Sequence, residues 1–373
     1  MKRTNLIQFH LDREKTVDLG SFYTPDFVVE LAYDMLIKFV DIRDCVLLDS
    51  SCGYGNFLRI DGSKQKIGVD IDNHAIEIAK ANFRNHAFPP IFLHKNSLIN
   101  VNRQNFGLTE SQRLVIIGNP PYNDKTSIIQ NSLKRDSSIK IDSNLKARDI
   151  GLSFLLSFDR LQADYICVLH PLSYLIKKTN FHSLKNFTKN YKLLDSIIIS
   201  SSIFCPRSLR FFPIIIALYK REMSRLSFDY IYNFLFKTLE GKTFRLSDFD
   251  FIAKYIDKYP NKKRIPEADR KAMFYTMRDI NALKRSKTFI KKDCNNAVYI
   301  TNEKYSLYCY VDIFKSFISH VPYYLGNCDI IIDFNAFKKL EKDFIKASES
   351  GNIPHSIEEY FINLLGEHYE KRK

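Results

Sequence analysis

The chain has 373 residues, of which 45% are hydrophobic and 26% charged, and its formal net charge is +14. This length is more than one ordinary core fills and predicts two domains, and the composition excludes a disordered chain. The excess of basic side chains favours a polyanionic partner, nucleic acid above all.

Strand-like and helix-like stretches alternate from about residue 26 to residue 220. In chain order, the predicted elements are a helix over Asp26–Phe39, strands over Cys45–Leu48 and Ile67–Ile71, a helix over Asn73–Asn85, strands over Ile91–Leu93 and Leu114–Ile117, a helix over Ile150–Leu161, and strands over Tyr165–Leu169 and Ile214–Tyr219. This alternation predicts a doubly wound α/β fold with a parallel sheet. After about residue 221 the sequence is rich in aromatic residues and lysine and loses the alternation, so we expect one domain over residues 1–221 and another over 222–373.

Several classes of protein and site are disfavoured. The longest apolar runs, such as Phe211–Tyr219, are too short to span a bilayer, and the first fifteen residues lack the apolar region of a signal peptide. Seven scattered cysteines with no CxxC pair argue against both a zinc site and a disulfide framework. We therefore expect a cytoplasmic protein without a metal site and without membrane contact.

The turn after the first strand has the residues of a nucleoside site. Asp49 ends the strand, and Gly53 and Gly55 follow it, where glycine lets a ligand approach the backbone. The next strand leads to Asp70, where a carboxylate can bind two ribose hydroxyls. The third glycine of the dinucleotide fingerprint is absent, as is a phosphate loop, which indicates a nucleoside without a pyrophosphate. A tight turn in which the glycines only pack is the alternative.

A second motif, Asn119-Pro120-Pro121-Tyr122, follows the strand over Leu114–Ile117. Proline fixes φ near −65° and keeps the preceding residue extended, so this tetrapeptide forms a stiff turn. The side-chain oxygen of Asn119 and the carbonyl of Pro120 could accept hydrogen bonds from an exocyclic amine and free its lone pair for attack on a methyl sulfonium. Tyr122 could stack on a base swung out of a duplex.

Four blocks in this order, Gly20–Pro25, Asp49–Phe57, Asp70 and Asn119–Tyr122, resemble the S-adenosylmethionine-dependent adenine-N6 DNA methyltransferases. The order is similar to the gamma arrangement of restriction–modification enzymes, and the resemblance covers roughly residues 20–220. It implies a Rossmann-like methyltransferase domain with S-adenosyl-L-methionine as cofactor, followed by a DNA-recognition domain of mixed α+β structure. It further implies a monomeric bacterial enzyme that methylates double-stranded DNA and has a separately encoded restriction endonuclease as its counterpart.

Carried over by position, the resemblance assigns a role to individual residues. The implied cofactor-binding residues are Tyr23, Thr24, Pro25, Asp49, Cys52, Gly53, Gly55, Asp70, Ile71, Asn96, Asn119 and Phe154. Asn96 stands where the family usually has an acid, and Phe154 could equally be a core residue of an amphipathic helix. The implied catalytic residues are Asn119, Pro120, Pro121 and Tyr122, and the target base is expected to stack on Tyr122 and Phe204, although Phe204 could also belong to the core.

The second half of the chain carries a concentration of basic residues. Between residues 258 and 292 there are twelve basic and three acidic side chains, which favours contacts with DNA phosphates; a solvated surface is the alternative. The expected DNA-binding residues are Lys262, Lys263, Arg264, Arg270, Lys271, Lys284, Arg285 and Lys287. The tyrosines that recur from Tyr299 to Tyr324 are expected in a core.

Other readings of the motifs remain open. The same fold could act on an RNA base, on cytosine N4 or on a protein glutamine, and a DNA-binding protein without catalysis is a further alternative. The block Gly20–Pro25 and the basic second half favour DNA as the substrate.

Overall fold

The computed structural model describes residues 24–63, 65–122, 139–204, 211–223, 225–257 and 260–371. The chain divides into two compact units, one formed by residues up to 210 together with Ile214–Thr243, and the other by Phe211–Pro213 together with the residues from Phe244 onward. The first unit therefore extends beyond the boundary predicted after residue 221. It does so because the chain after residue 221 returns to the strand over Tyr191–Ser200, where the amide of Leu239 donates to the carbonyl of Ile198 at 2.9 Å.

The first unit contains the predicted alternation of helices and strands. Its elements are α1 (Asp26–Leu36), β1 (Cys45–Asp49), β2 (Gln65–Asp70), α2 (Asn73–Asn82), β3 (Ile91–His94), β4 (Arg113–Gly118), α3 (Ile150–Arg160), β5 (Tyr165–Pro171), α4 (Ser173–Ile176), α5 (Lys178–Ser183), α6 (Lys185–Asn190), β6 (Tyr191–Ser200), β7 (Pro213–Arg221), α7 (Phe228–Asn233), β8 (Phe236–Lys237) and β9 (Thr243–Phe244). Each predicted element is present with ends shifted by a few residues at most, while β6, the short helices α4 to α7 and the short strands β8 and β9 are additions. No described helix combines the length and the apolar character that crossing a membrane requires.

Seven strands form the main sheet in the order β3-β2-β1-β4-β5-β7-β6. The pairings from β3 to β5 are all parallel. Strand β7 runs antiparallel to β5, with Tyr165 opposite Lys220 and Pro171 opposite Ile214, so the prediction of a wholly parallel sheet is wrong at β7. A strand buried on both faces has the same apolar pattern in either direction, and the sequence therefore did not reveal this reversal.

The sheet places the ends of three neighbouring strands side by side. Strand β1 lies between β2 and β4 and is buried along its whole length. Because parallel strands end at the same edge of a sheet, the carboxyl ends of these strands bring Asp49, Asp70 and Gly118 to one edge. The residues that follow each strand, including Asn119, are consequently neighbours there.

The second unit mixes a small sheet with helices. Its elements are β10 (Ala272–Tyr275), α8 (Ile280–Leu283), β11 (Ala297–Ile300), α9 (Tyr305–Phe317), α10 (Phe334–Lys339), α11 (Glu341–Ser350) and α12 (His355–Leu365), and β10 pairs antiparallel with β11. Tyr310 is fully buried among Phe337, Phe344 and Phe361. The expectation of a tyrosine core is confirmed in most positions, since Tyr299, Tyr308, Tyr310 and Tyr324 are buried.

Candidate functional site

The turn after β1 is fastened to the neighbouring strand β2. The amide of Cys52 donates to the carbonyl of Val69 at 2.9 Å, and the amide of Gly53 donates to Asp70 Oδ2 at 2.8 Å. Gly53 and Gly55 have φ values of 50° and 85°, the left-handed region that glycine tolerates best. A Cβ on Gly55 would lie 2.8 Å from the ring of Phe83, so this turn needs glycine for both conformation and space.

Two carboxyl groups lie at the bottom of this turn. Asp49 is buried, and its Oδ1 accepts a hydrogen bond from the amide of Ser51 at 3.2 Å. Burial, opposed by that hydrogen bond and reinforced by the charge of Asp70, raises the pKa of Asp49 to about 8. Burial likewise raises the pKa of Asp70, although its carboxylate accepts from the amides of Gly53 and Asp72. Each carboxylate oxygen has a second lone pair with which to accept from a ligand.

The Asn-Pro-Pro-Tyr turn begins directly against Asp49. Gly118, the last residue of β4, lies so close that a Cβ there would be 2.6 Å from Asp49 Oδ1. Asn119 Nδ2 donates to the hydroxyl of Thr24 at 3.1 Å. The side-chain oxygen of Asn119 is buried, and no described residue donates a hydrogen bond to it. The structure thus joins Thr24, Asp49 and Asn119, which are far apart in sequence, into one site.

These residues surround a pocket of about 910 Å³, a volume that includes its open mouth. Its walls are formed by Thr24, Asp49, Ser50, Ser51, Cys52, Gly53, Tyr54, Asn56, Phe57, Asp70, Ile71, Asp72, Asn96, Ser97, Leu98, Asn119, Pro121, Ile139, Ile150 and Phe154. Most predicted cofactor residues are therefore brought together, whereas Pro25 and Gly55 do not line the pocket. Tyr23 lies outside the described residues.

Two predicted residues of the pocket have particular surroundings. Ile71 follows β2 and is 45% exposed, so its apolar surface is accessible to a ligand. Phe154 lines the pocket and also packs in the core, with its ring 6.2 Å from that of Phe158, and its contact with the cofactor stays a prediction.

Buried acceptors without partners mark the polar part of the pocket. Besides Asn119 Oδ1, the hydroxyl of Ser51 and Oδ1 of Asn56 are buried and have no hydrogen-bond partner among the described residues. A buried polar group left unpaired costs about 1–3 kcal/mol, so donors on a ligand are its natural partners. Sequence reasoning missed Ser51 and Asn56, although both stand inside the glycine motif, because nothing local shows which of its side chains face the pocket.

The donor and acceptor set of the pocket fits S-adenosyl-L-methionine. That molecule carries an ammonium group, two ribose hydroxyls and an adenine amino group, all of which donate hydrogen bonds. The acceptors of Asp49, Ser51, Asn56 and Asp70 match these donors in kind, and Ile71 offers an apolar surface for a purine.

The predicted second stacking residue, Phe204, is placed elsewhere. It is half-buried, follows the edge strand β6, and its amide donates to the carbonyl of Ser201 at 3.1 Å. Phe204 does not line the pocket. Its contact with a target base stays a prediction.

The predicted DNA-binding residues of the second unit fall into two groups. Lys263, Arg264, Lys271, Lys284, Arg285 and Lys287 are exposed. Lys262 and Arg270 are instead half-buried beside Tyr299: Lys262 Nζ is 2.5 Å from Asp293 Oδ1, and the guanidinium carbon of Arg270 lies 4.0 Å from the centre of the tyrosine ring. Both side chains are therefore engaged with neighbours inside the unit, and their contact with DNA stays a prediction.

Comparison with known proteins identifies the family. Residues 7–291, well over half of the chain, match the model of the N-6 DNA Methylase family. By sequence, no curated protein matches this chain.

Among solved structures, similarity is found to the modification subunit of a protein assigned as a type I restriction enzyme from Vibrio vulnificus (18% identity, TM-score 0.42, 61% of this chain and 49% of that chain). A type I restriction–modification methyltransferase subunit from Streptococcus thermophilus is also similar (16%, 0.40, 67% and 52%), as is a dimethyladenosine transferase from Plasmodium falciparum (14%, 0.34, 54% and 64%). This chain spans about half the length of the two restriction–modification subunits. On the family match, the chain belongs to the N-6 DNA methylase family and is a methyltransferase whose cofactor is S-adenosyl-L-methionine.

Proposed function

We propose that this protein transfers a methyl group from S-adenosyl-L-methionine to the N6 amine of an adenine that is flipped out of double-stranded DNA. The observation that carries the proposal is the state of the Asn119 side chain. Its Nδ2 is occupied by the hydroxyl of Thr24, and its buried oxygen has no partner among the described residues. The amide is therefore oriented with its acceptor available for a donor that arrives from outside.

An exocyclic amine needs such an acceptor. Its lone pair is delocalised into the purine ring, which makes the nitrogen a weak nucleophile. Asn119 Oδ1 and the carbonyl of Pro120 can accept from the two N–H groups and draw the nitrogen toward a tetrahedral geometry. The proline pair fixes both acceptors before the substrate arrives, so little reorganisation is required during the reaction. The bound cofactor supplies the electrophilic methyl group.

The remaining residues have positioning roles. Asp49 and Asp70 would accept hydrogen bonds from the cofactor, and Ile71 would pack on its purine. Tyr122 would stack on the flipped base, and Gly151 allows it to lie close to helix α3, since a Cβ at that glycine would be 3.0 Å from Tyr122 Cβ. No general base is required at the attack step, because the amine nitrogen attacks before it loses its proton.

The second unit would bind DNA through its exposed basic residues, with Phe204 as a second stacking surface for the base. We further propose that the protein, with its gamma-type order of motifs, is the modification enzyme of a restriction–modification system in the bacterial cytoplasm. It would act as a monomer and share a target sequence with a separately encoded endonuclease.

The experiment that tests the function measures methyl incorporation from labelled cofactor into duplex DNA, followed by mass spectrometry of the nucleosides. We expect N6-methyladenine as the product. We expect Asn119→Ala to lower the transfer rate by at least about 10²–10³-fold, the effect of removing one preorganised group of this kind, while cofactor affinity changes little.

A matched control is Asn102→Ala, which removes the same side chain outside the pocket and should leave transfer unchanged. Transfer that survives in Asn119→Ala would contradict the mechanism. Methylation of cytosine N4, of RNA or of a protein glutamine, with DNA adenine left unmodified, would contradict the choice of acceptor.

A further inference from the structure

Asn96 occupies the position where an acid was expected to bind the amino group of the cofactor. It follows β3, next to the carboxyl end of β2, because the amide of Lys95 donates to the carbonyl of Asp70 at 3.0 Å. Both ends of the Asn96 amide are engaged with the chain itself: Oδ1 accepts from the amide of Leu98 at 2.9 Å, and Nδ2 donates to the carbonyl of Lys140 at 2.8 Å. A carboxylate could form the first hydrogen bond but not the second.

The hydrogen bond to Lys140 is one of several that fasten residues 140–142 to the loop after β3. The amide of Asp142 donates to the carbonyl of Leu98 at 2.9 Å. In return, the carboxylate of Asp142 accepts from the amides of Asn100 at 3.1 Å and Val101 at 3.3 Å. The two segments are more than forty residues apart in sequence, so these hydrogen bonds are tertiary contacts that form only when the chain folds.

Ile139 directly precedes this fastened segment. Ile139 is half-buried and lines the cofactor pocket together with Ile71, Leu98 and Phe154. An adenine ring has two apolar faces, and the exposed Ile71 can cover only one of them. A second apolar surface beside the same pocket is what a planar ligand requires.

We propose that Asn96 is a positioning residue that holds Ile139 in the wall of the cofactor pocket, and that Ile139 provides an apolar contact to the adenosyl part of the cofactor. Asn96 then contributes to cofactor binding through Lys140 and Ile139, and not by accepting a hydrogen bond from the cofactor. This also explains why an amide replaces the acid, since a carboxylate at this site would face the carbonyl oxygen of Lys140 without a proton between them.

The decisive variant is Asn96→Asp, which keeps the acceptor for Leu98 and removes the donor to Lys140. We expect the dissociation constant of S-adenosyl-L-methionine, measured by calorimetry on the full chain, to rise about 3- to 10-fold, in line with the loss of one hydrogen bond. Amide exchange at Asp142 should accelerate in the same variant, because its hydrogen bond to Leu98 belongs to the same fastening.

The matched control is Asn102→Asp. Asn102 Oδ1 accepts from the amide of Asn105 at 2.8 Å, and its Nδ2 donates to the carbonyl and the side-chain oxygen of Asn100, both at 3.1 Å. Asn102 lies outside the pocket, so Asn102→Asp likewise keeps a hydrogen-bond acceptor and removes a donor, but without touching the pocket wall. We expect its cofactor affinity to equal that of the unchanged protein. This comparison separates the effect of losing the hydrogen bond at Asn96 from the effect of adding a negative charge to the protein.

A double-mutant cycle with Ile139→Ala tests whether Asn96 acts through Ile139. If it does, Ile139→Ala weakens binding by itself, and adding Asn96→Asp to it weakens binding little further. Unchanged or tighter binding in Asn96→Asp would show that the residue replaces the family acid directly and would overturn the proposal, as would fully additive effects. The measurements need no DNA, so their outcome is independent of whether adenine is the methyl acceptor.

Discussion

Replacing Gly118 by alanine should disturb the place where the two motifs of the pocket touch. The new Cβ would lie 2.6 Å from Oδ1 and 3.0 Å from Cγ of Asp49. Gly118 also has a φ of 149°, a conformation that residues with a Cβ rarely adopt. Asp49 has little freedom to move away, because it is buried and its Oδ1 accepts from the amide of Ser51.

The free energy of unfolding should fall by two costs, which are partly offset by one gain. The unfavourable backbone conformation costs about 1–3 kcal/mol, and forcing a methyl group into an occupied space costs about 1–3 kcal/mol more. The lower entropy of alanine in the unfolded chain restores about 0.4–1 kcal/mol. We therefore expect Gly118→Ala to lower stability by about 1–6 kcal/mol.

Gly107→Ala is the matched control. Gly107 has a φ of 72°, and a Cβ there would meet nothing within 4 Å, so only the backbone cost of about 1–2 kcal/mol applies. Urea unfolding of both variants at one pH compares them directly, and calorimetry adds the affinity for S-adenosyl-L-methionine, which Gly118→Ala should weaken. If Gly118→Ala proves as stable as Gly107→Ala, the described packing of Gly118 on Asp49 is refuted.

Two further predictions concern charge. Because burial raises the pKa of Asp49 to about 8, the folded protein holds a proton there that the unfolded chain loses near pH 4, and this part of the stability should decline as the pH rises toward 8. A cation favours the carboxylate, so the cationic S-adenosyl-L-methionine should bind more tightly at pH 8 than at pH 6.5, by at most about tenfold per pH unit for the Asp49 carboxyl. Asp49→Asn should reduce this dependence to what the neighbouring Asp70 contributes. Calorimetry that finds equal affinities for the unchanged protein at the two pH values would contradict the prediction. Lys284 and Lys287 are exposed, and we expect them to contact DNA phosphates. Replacing both with alanine should reduce the slope of log DNA affinity against log salt concentration by about 0.9 for each phosphate that the variant no longer neutralises. Fluorescence anisotropy measures this slope, and an unchanged slope would exclude both lysines from the interface.

Local chemistry made part of the site predictable from sequence. Gly53 and Gly55 adopt left-handed backbone in the turn after the buried strand β1, and both the apolar strand and the glycine spacing are visible in the sequence. Asp70 and Asn119 were predictable for a similar reason, since each stands at or just after the carboxyl end of a strand that the apolar pattern reveals. The position of these residues at one edge then follows from the parallel order of the strands.

Contacts between distant segments explain what the sequence did not reveal. Ile139 lines the pocket and directly precedes a segment in which Lys140 and Asp142 hydrogen-bond to the loop after β3, and no local pattern encodes that pairing. The same holds for the basic residues, where a count of charges could not separate the exposed Lys284 from Lys262, whose ammonium contacts Asp293.

The arrangement of the pocket also relates stability to function. The buried carboxyl of Asp49 and the unpaired oxygens of Asn56 and Asn119 are each unfavourable in the protein alone, and all of them line one cavity. Such groups would destabilise a core at random positions, but here a ligand with several donors and a positive charge can satisfy them together. The free energy that the fold loses by leaving these groups unpaired is thus recovered when the ligand binds. Because the ligand binds only the folded state, cofactor binding should also stabilise this unit against unfolding.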